Sequence, residues 1–456
     1  MRRTYAGARN VARAFAVGAA LTLSVGCEQV EQVRDELRDL TPYEAYGVAL
    51  EQAGLDETAL GRAWVMAGER ALAEALTVTL PFEERGFIAP EEPGAMAYRI
   101  TVPRGRRLQA EVSLDSEEGT RVFVDLFRVP ENEEEDPPRP LISTDSVPGT
   151  FVHEPFRGGD FVLRLQPELL RGGQYRVSIR LEAQLAFPVD GHGVRAIQSR
   201  FGVDRDGGRR QHHGVDIFAP RGTPVLAAAD GVVNRVQVTN LGGKVVWLRD
   251  NQRNANLYYA HLDSQAVRSG QRVSRGDTLG FVGNTGNART TPPHLHFGVY
   301  RRGEGPIDPF PYLDPPSAVV AALTADLTLL GRWVRVTSEG LRLRASPNTR
   351  SDVLRQLERH TPLRVLGGSG EFFRVRLPDG SLGYVAARLT EATDRPVAAE
   401  ITESEATVLL RPTGDAPAVA TLPVGGEVAI YGRYGGYLYV RGPEGHTGWL
   451  ESGGDD

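Results

Sequence analysis

The sequence predicts a mainly β, multidomain chain, and three observations carry that expectation. First, apolar residues alternate with polar ones over long stretches, as in Tyr98, Ile100 and Val102. A strand turns every second side chain to the same face, so a period of two reads as half-buried sheet. Second, a pattern in the last quarter of the chain returns 65 positions later, the mark of two copies of one small unit. Third, 456 residues exceed what a single hydrophobic core holds, and the length suits about three domains.

Taken in order, residues 1–26 have the anatomy of an export signal. Arg2, Arg3, Arg9 and Arg13 precede an apolar run from Ala14 to Val25, too short for an ordinary membrane span. Leu23-Ser24-Val25-Gly26-Cys27 resembles a bacterial lipobox, although Ser24 stands where leucine is usual and Leu23 lies one place earlier. That resemblance implies acylation of Cys27, a membrane partner through the lipid, and a place in the cell envelope, with an outer membrane facing the periplasm preferred. Cys27 is the single cysteine, so an internal disulfide framework is excluded.

Residues 27–76 carry apolar positions at helical spacing (Val30, Val33, Leu37) and are expected to form short helices broken near Pro42, a stalk or cap. Residues 77–187 alternate at period two, with turns at Gly159-Asp160 and Gly172-Gly173, and read as a β-sandwich with an exposed acidic, proline-rich loop from Pro130 to Pro140. Residues 188–315 hold the chemistry described next, and 316–330 read as a linker. Two barrels are expected at 331–392 and 398–452. In the first, Leu363, Val365, Phe373, Val375 and Gly383-Tyr384-Val385 alternate; Val428, Ile430, Leu438, Val440 and Gly448-Trp449-Leu450 repeat them. The pattern resembles bacterial SH3-like domains, which commonly hold wall-processing enzymes on peptidoglycan. From Gly331 to Pro396 there are 12 arginines against 7 acidic residues, and from Val397 to Asp456 there are 3 against 9. Barrels of opposite sign are not expected to share a ligand surface, and docking on each other is the alternative. A net charge of −6 spread over the chain argues against a nucleic-acid partner, and oligomeric state is not legible.

Four histidines and an aspartate between Ser199 and Tyr300 are arranged for metal chemistry. In an extended segment His212 and Asp216 project to one side while Val215 and Ile217 point inward. His294 and His296 likewise share a face, with Leu295 and Phe297 behind them, and His261 ends the apolar run from Leu257. A hydrolytic zinc takes three protein ligands and keeps one position open, so five such groups exceed the metal's need and leave some for proton transfer. A structural zinc site would more often use cysteine, which is absent from this block. His153, His192, His213, His360 and His446 stand away from ligand-spaced donors and read as surface or core histidines. His213 adjoins His212, and the even spacing to Asp216 favours His212.

These stretches resemble the lysostaphin/LytM-type zinc endopeptidases, which hydrolyse peptidoglycan peptides. The likeness is carried in order by Ser199-Arg200-Phe201-Gly202, His212-His213-Gly214-Val215-Asp216-Ile217, the run from Pro224 to Val233, Tyr259-Ala260-His261-Leu262, Gly283-Asn284-Thr285-Gly286 and His294-Leu295-His296-Phe297. Carried over by position, His212, Asp216 and His296 would be the ligands of a Zn2+ cofactor, and His261 and His294 the catalytic pair. Pro292 departs from a usual glycine and Gly298 from a usual acidic residue, both at the rim of the cleft. The implied chemistry is metal-assisted hydrolysis, in which zinc polarises the carbonyl and lowers the pKa of water from 15.7 towards about 7. One imidazole, with His294 preferred, would take the proton, and the other would hydrogen-bond the oxyanion. The rival reading is a membrane-anchored, non-catalytic activator or scaffold for other wall hydrolases; retention of all five polar positions speaks for the enzyme.

Overall fold

The computed structural model describes residues 40–117, 119–130, 139–314, 319–442 and 445–452. The expected export signal, Cys27, the apolar positions Val30, Val33 and Leu37, and most of the acidic loop lie outside these residues. Among the described residues no helix is long and apolar enough to cross a membrane.

Two helices open the described chain. Pro42–Gln52 begins with a capping box, in which the Thr41 hydroxyl accepts from the Glu44 N–H and the Glu44 carboxylate accepts from the Thr41 N–H. Pro42 lies in the first turn, where its missing N–H has no partner to lose, so it starts this helix instead of breaking one. Ala59–Ala73 follows, capped by Thr58. Trp64 stacks on Tyr43 with ring centroids 4.9 Å apart, and its indole N–H donates to the Pro167 carbonyl at 2.9 Å. The pair is thereby a cap seated on the strands that follow.

Those strands form two layers around one core. Met96–Val102, Gly159–Pro167, Val122–Arg128 and Ile142–Thr144 lie side by side in one sheet; Phe82–Ile88, Gly173–Ala183, Arg106–Asp115 and Gly149–His153 do so in the other. Tyr98, Ile100, Phe161, Val177 and Ile179 fill the space between them.

The next sheet positions the site. Its antiparallel strands run Ile197–Ser199, Val215–Phe218, His294–Arg301, Ala255–Leu262, Gly243–Asp250, Gly231–Thr239 and Arg272–Val273. Val215, Ile217, Leu295, Phe297, Val299, Leu257, Tyr259, Val246 and Leu248 fill the core on one face. A small sheet of Pro224–Leu226, Thr278–Phe281 and Ser264–Gln265 supplies Val225 and Leu279 to the same core. Alternation then leaves Asp216, His294, His296, Gly298, Tyr300 and Tyr258 to the opposite, open face.

The two C-terminal units repeat in topology as well as in sequence. Strand order is Val353–Leu357, Leu341–Arg344, Leu382–Ala386, Phe372–Arg376, Pro362–Ser369 in the first and Ala418–Leu422, Ala406–Leu409, Thr447–Glu451, Tyr437–Arg441, Glu427–Tyr434 in the second. Even the irregularity between Val365 and Gly367 recurs between Ile430 and Gly432. The stretch before the first barrel is drawn onto it: Leu323, Leu329 and Leu330 pack on its core, and the Ala325 N–H donates to the Gly370 carbonyl.

The barrels dock on each other. Trp333 meets Tyr439 at 5.1 Å, the Arg335 guanidinium donates to the Tyr431 carbonyl, and Arg355 binds the Tyr434 hydroxyl at 2.9 Å. The basic unit thus faces the acidic one, as the charge count allowed. The first barrel also joins the sandwich, because Arg85 and Gly86 pair with Gly368 and Gly367 and fuse the two sheets. Behind that seam Glu84, fully buried, accepts hydroxyl hydrogen bonds from Tyr98, Tyr175 and Tyr384 at 2.6–2.7 Å and faces the buried Arg374 at 3.3 Å. Removing one partner from such a buried pair typically costs about 3–5 kcal/mol, since the other charge is stranded. The sheet that carries His294 and His296 is tied to the sandwich as well: Arg301 donates to the Phe156 carbonyl, Arg253 pairs with Glu154, and the Arg104 guanidinium binds the Tyr312 hydroxyl.

Candidate metal centre

Strand register brings the ligand candidates together. Asp216 lies directly opposite His296, and His296 directly opposite Ala260, so one cross-strand row holds the carboxylate and an imidazole. His212 sits just before its strand, held by its N–H to the Val203 carbonyl and by its own carbonyl to the Gly202 N–H. Gly214 makes the approach possible, because a Cβ there would come within 2.8 Å of the His296 ring. The Nε2 of His212 is 3.0 Å from Asp216 Oδ1 and 2.9 Å from His296 Nδ1, and His296 Nδ1 is 3.0 Å from the same Oδ1. All three side chains are largely sequestered from solvent.

This donor set fits zinc. A tetrahedral ion with ligand bonds near 2.0–2.1 Å separates its donors by about 3.3 Å, so each edge of the triangle needs only a few tenths of an ångström of expansion. Two imidazole nitrogens and a carboxylate oxygen are a standard hydrolytic set. The second nitrogen of His212 supports the fit: Nδ1 lies 2.8 Å from the Arg200 carbonyl, which can only accept. The proton is therefore on Nδ1, and Nε2 turns its lone pair inward. Burial alone would raise the Asp216 carboxyl, but its close contacts with the His212 and His296 imidazoles outweigh it and hold it far below the usual range, an anion ready to ligate. Burial pushes the His296 imidazole down.

His261 and His294 stand beside this triangle. Their rings are 5.0 Å apart, and the His261 ring is 5.9 Å from that of His296. By strict alternation His261 would follow Leu257 and Tyr259 into the core. Instead its φ is +64°, in the left-handed region that favours glycine, beside a register shift between Lys244 and Val246. The shift and the turned backbone re-aim the imidazole to the open face, a strain of the kind found at working sites. Its Nδ1–H donates to the Thr285 carbonyl at 2.9 Å, while that of His294 donates to the Pro292 carbonyl at 2.9 Å. Both therefore present Nε2 as a lone pair. Burial, with the neighbouring His296 and His294, lowers the His261 pKa to about 4, so this ring is neutral at ordinary pH. His213 is exposed and turned to Phe201, 6.3 Å away, outside the cluster.

Two positioning residues were not singled out in the sequence. Arg205 reaches from the segment before His212 to Asp216 Oδ2 at 2.7 Å and to the Ser199 hydroxyl at 2.6 Å. It holds the carboxylate oxygen that is not in the triangle. Thr285 belongs to a recognised motif but had no role assigned. Its hydroxyl donates to the Leu262 carbonyl and accepts from the Lys244 N–H, which fixes the carbonyl that orients His261. Gly243, at φ +63°, lets that segment close in, since a Cβ there would meet the Thr285 hydroxyl at 2.2 Å. A basic residue between two motif segments was the only available signal for Arg205.

A buried His/Asp/His triangle flanked by two acceptor imidazoles, on the open face of an antiparallel sheet, defines a metallohydrolase-type centre. Residues 210–309 match the family described as Peptidase family M23, and residues 339–391 match Bacterial SH3 domain. The chain thus carries an M23 peptidase domain followed by a bacterial SH3 domain, as the sequence resemblance implied. Among curated proteins it is 38% identical over 139 residues to the L-Ala–D-Glu endopeptidase of Bacillus subtilis (strain 168), covering 28% of this chain and 42% of that protein. It is also 38% identical over 123 residues to the peptidoglycan DD-endopeptidase ShyC of Vibrio cholerae, covering 25% of this chain and 26% of that protein. The chain therefore spans less than half the length of these relatives. Among solved structures, the catalytic domain of lysostaphin from Staphylococcus simulans aligns with 28% identity and a TM-score of 0.23, covering 28% of this chain and 91% of that domain.

Proposed function

We propose that the protein is a zinc-dependent endopeptidase that hydrolyses peptide bonds in peptidoglycan stem peptides or cross-bridges. The observation that carries this reading is the convergence of His212, Asp216 and His296 on one point with His261 and His294 beside it. The relatives named for cutting wall peptides support the substrate class, and they are named for different bonds. When bound, zinc supplies Lewis acidity towards the carbonyl and acidifies water. The chain's own residues do the rest. His294 Nε2 accepts the proton of the attacking water, and His261 Nε2, kept neutral by its surroundings, accepts a hydrogen bond that orients that water. With its Nδ1–H committed to Thr285, His261 could donate to an oxyanion only as an imidazolium, which burial and its neighbours disfavour. Arg205 and Thr285 hold Asp216 and His261 in place.

The test is incubation of the purified protein with isolated sacculi, with and without a chelator. Soluble peptide-bearing fragments are expected, lost on chelation and restored by stoichiometric zinc. Sacculi left intact by the zinc-loaded protein would favour the scaffold reading instead.

We also infer from Leu23-Ser24-Val25-Gly26-Cys27 that Cys27 is acylated and ties the protein to a membrane of the cell envelope, with the outer membrane facing the periplasm preferred. Fatty-acid labelling that persists in Cys27→Ser would remove that part of the reading.

A further inference from the structure

The open face of the catalytic sheet continues past the metal centre as an aromatic floor that the proposed reaction does not use. One step along the strands from the row Asp216–His296–Ala260 lies a second cross-strand row, Gly298–Tyr258–Trp247–Arg235. The row after it runs Tyr300–Asn256–Arg249. Trp247 and Tyr258 have ring centroids 4.4 Å apart, Trp247 and Tyr300 5.1 Å, and Tyr258 and Tyr300 6.2 Å. All three rings are half-exposed, and Arg235 and Arg249 beside them are exposed. Tyr258 also meets the His296 ring edge-on at 5.8 Å, so the floor is continuous with the metal centre.

Gly298 is what brings these rings together. A Cβ there would lie 3.0 Å from the Tyr300 ring and 2.9 Å from the His213 carbonyl. The departure from the acidic residue usual at this position thus coincides with an apolar surface in place of a charge. Rings that retain exposure beside a reactive centre are contact surface for a ligand with a flat apolar face and a polar edge.

We propose that Trp247, Tyr258 and Tyr300 form a subsite for a sugar ring of the glycan strand that carries the stem peptide. This rests on the endopeptidase reading above and deepens it. The short, often acidic residues of wall peptides gain little from three aromatic rings. A pyranose has a face of C–H bonds of about the size of the platform, and its hydroxyls, with nearby peptide carboxylates, suit the two guanidinium groups at the border. Adjacent rows on a face are about 7 Å apart along a strand, so sugar and scissile bond are separated by about two to four extended residues.

The test compares a cross-linked disaccharide–peptide dimer, released from wall by a muramidase, with the same cross-linked peptides freed of their sugars, on the zinc-loaded full chain. The wild type is expected to favour the sugar-bearing substrate by at least about tenfold in kcat/KM. Trp247→Ala and Tyr300→Ala should bring that ratio to within about twofold, and Trp247→Phe should keep most of it. The ratio is internal to each variant, so a general loss of active protein does not imitate the effect. Equal kcat/KM values in the wild type, or an unchanged ratio in both alanine variants, overturn the subsite. If the wild type cleaves neither substrate, the endopeptidase reading fails, and the subsite is judged by titration calorimetry with the same two ligands: tighter binding of the sugar-bearing one that Trp247→Ala abolishes supports it, and equal binding overturns it.

Discussion

Replacing Asp216 or His296 with alanine is expected to abolish zinc binding, lowering metal content from near one per chain to below about a tenth. Three donors within 3.0 Å of one another hold a cation jointly, and two of them cannot complete the protein's share of a tetrahedral site. Loss of an outer-shell partner typically costs 10–100-fold in affinity, and loss of a ligand costs more than about that. Asp216→Ala also leaves Arg205 facing two imidazoles without the carboxylate that neutralised it. Metal analysis after dialysis reads the result directly, and near-stoichiometric zinc in both variants would show that the triangle is not the metal site. Folding is checked separately, because the sheet core behind these residues is apolar and independent of the ion.

Replacing His294 with alanine is expected to have the opposite signature: zinc retained, turnover on peptidoglycan reduced by about 10²–10⁴-fold, the usual contribution of a positioned general base. His294 stands outside the triangle and presents Nε2 as a lone pair because its Nδ1–H is tied to the Pro292 carbonyl. Its neighbour His261, with a pKa lowered to about 4 by burial and by the adjacent imidazoles, is a poor proton carrier. On the proposed reading, the proton of the attacking water therefore falls to His294. Full activity in His294→Ala would refute this role, and loss of zinc together with activity would move His294 into the ligand set. The two kinds of variant separate the holding of metal from the movement of a proton.

Much of the site was legible before any tertiary information. The pair His294/His296 is read from period-two geometry, because alternation along a strand depends only on local backbone shape. The same ground places His212 beside Asp216, but His212 lies just before that strand and is held there by Val203 and Gly202. The 65-residue repeat likewise announced two units, and their strand orders agree down to a shared irregularity. His261 was named from its place in a motif, but alternation would have sent it to the core. A register shift and a left-handed backbone turn it outward, and neither leaves a mark in residue order.

The sequence by itself determined which side chains share a face, which segments alternate, and which donor types lie at ligand spacing. Tertiary structure alone decided that Asp216 lies opposite His296, that Arg205 reaches across to steady it, and that aromatic rows extend the floor beyond the metal. It alone decided also that Glu84 of the sandwich and Arg374 of the first barrel, 290 positions apart, share one buried pocket. The reason is physical: the direction of a side chain is set by its own few dihedral angles, whereas register, re-aimed backbone and docking depend on contacts between segments distant in the chain.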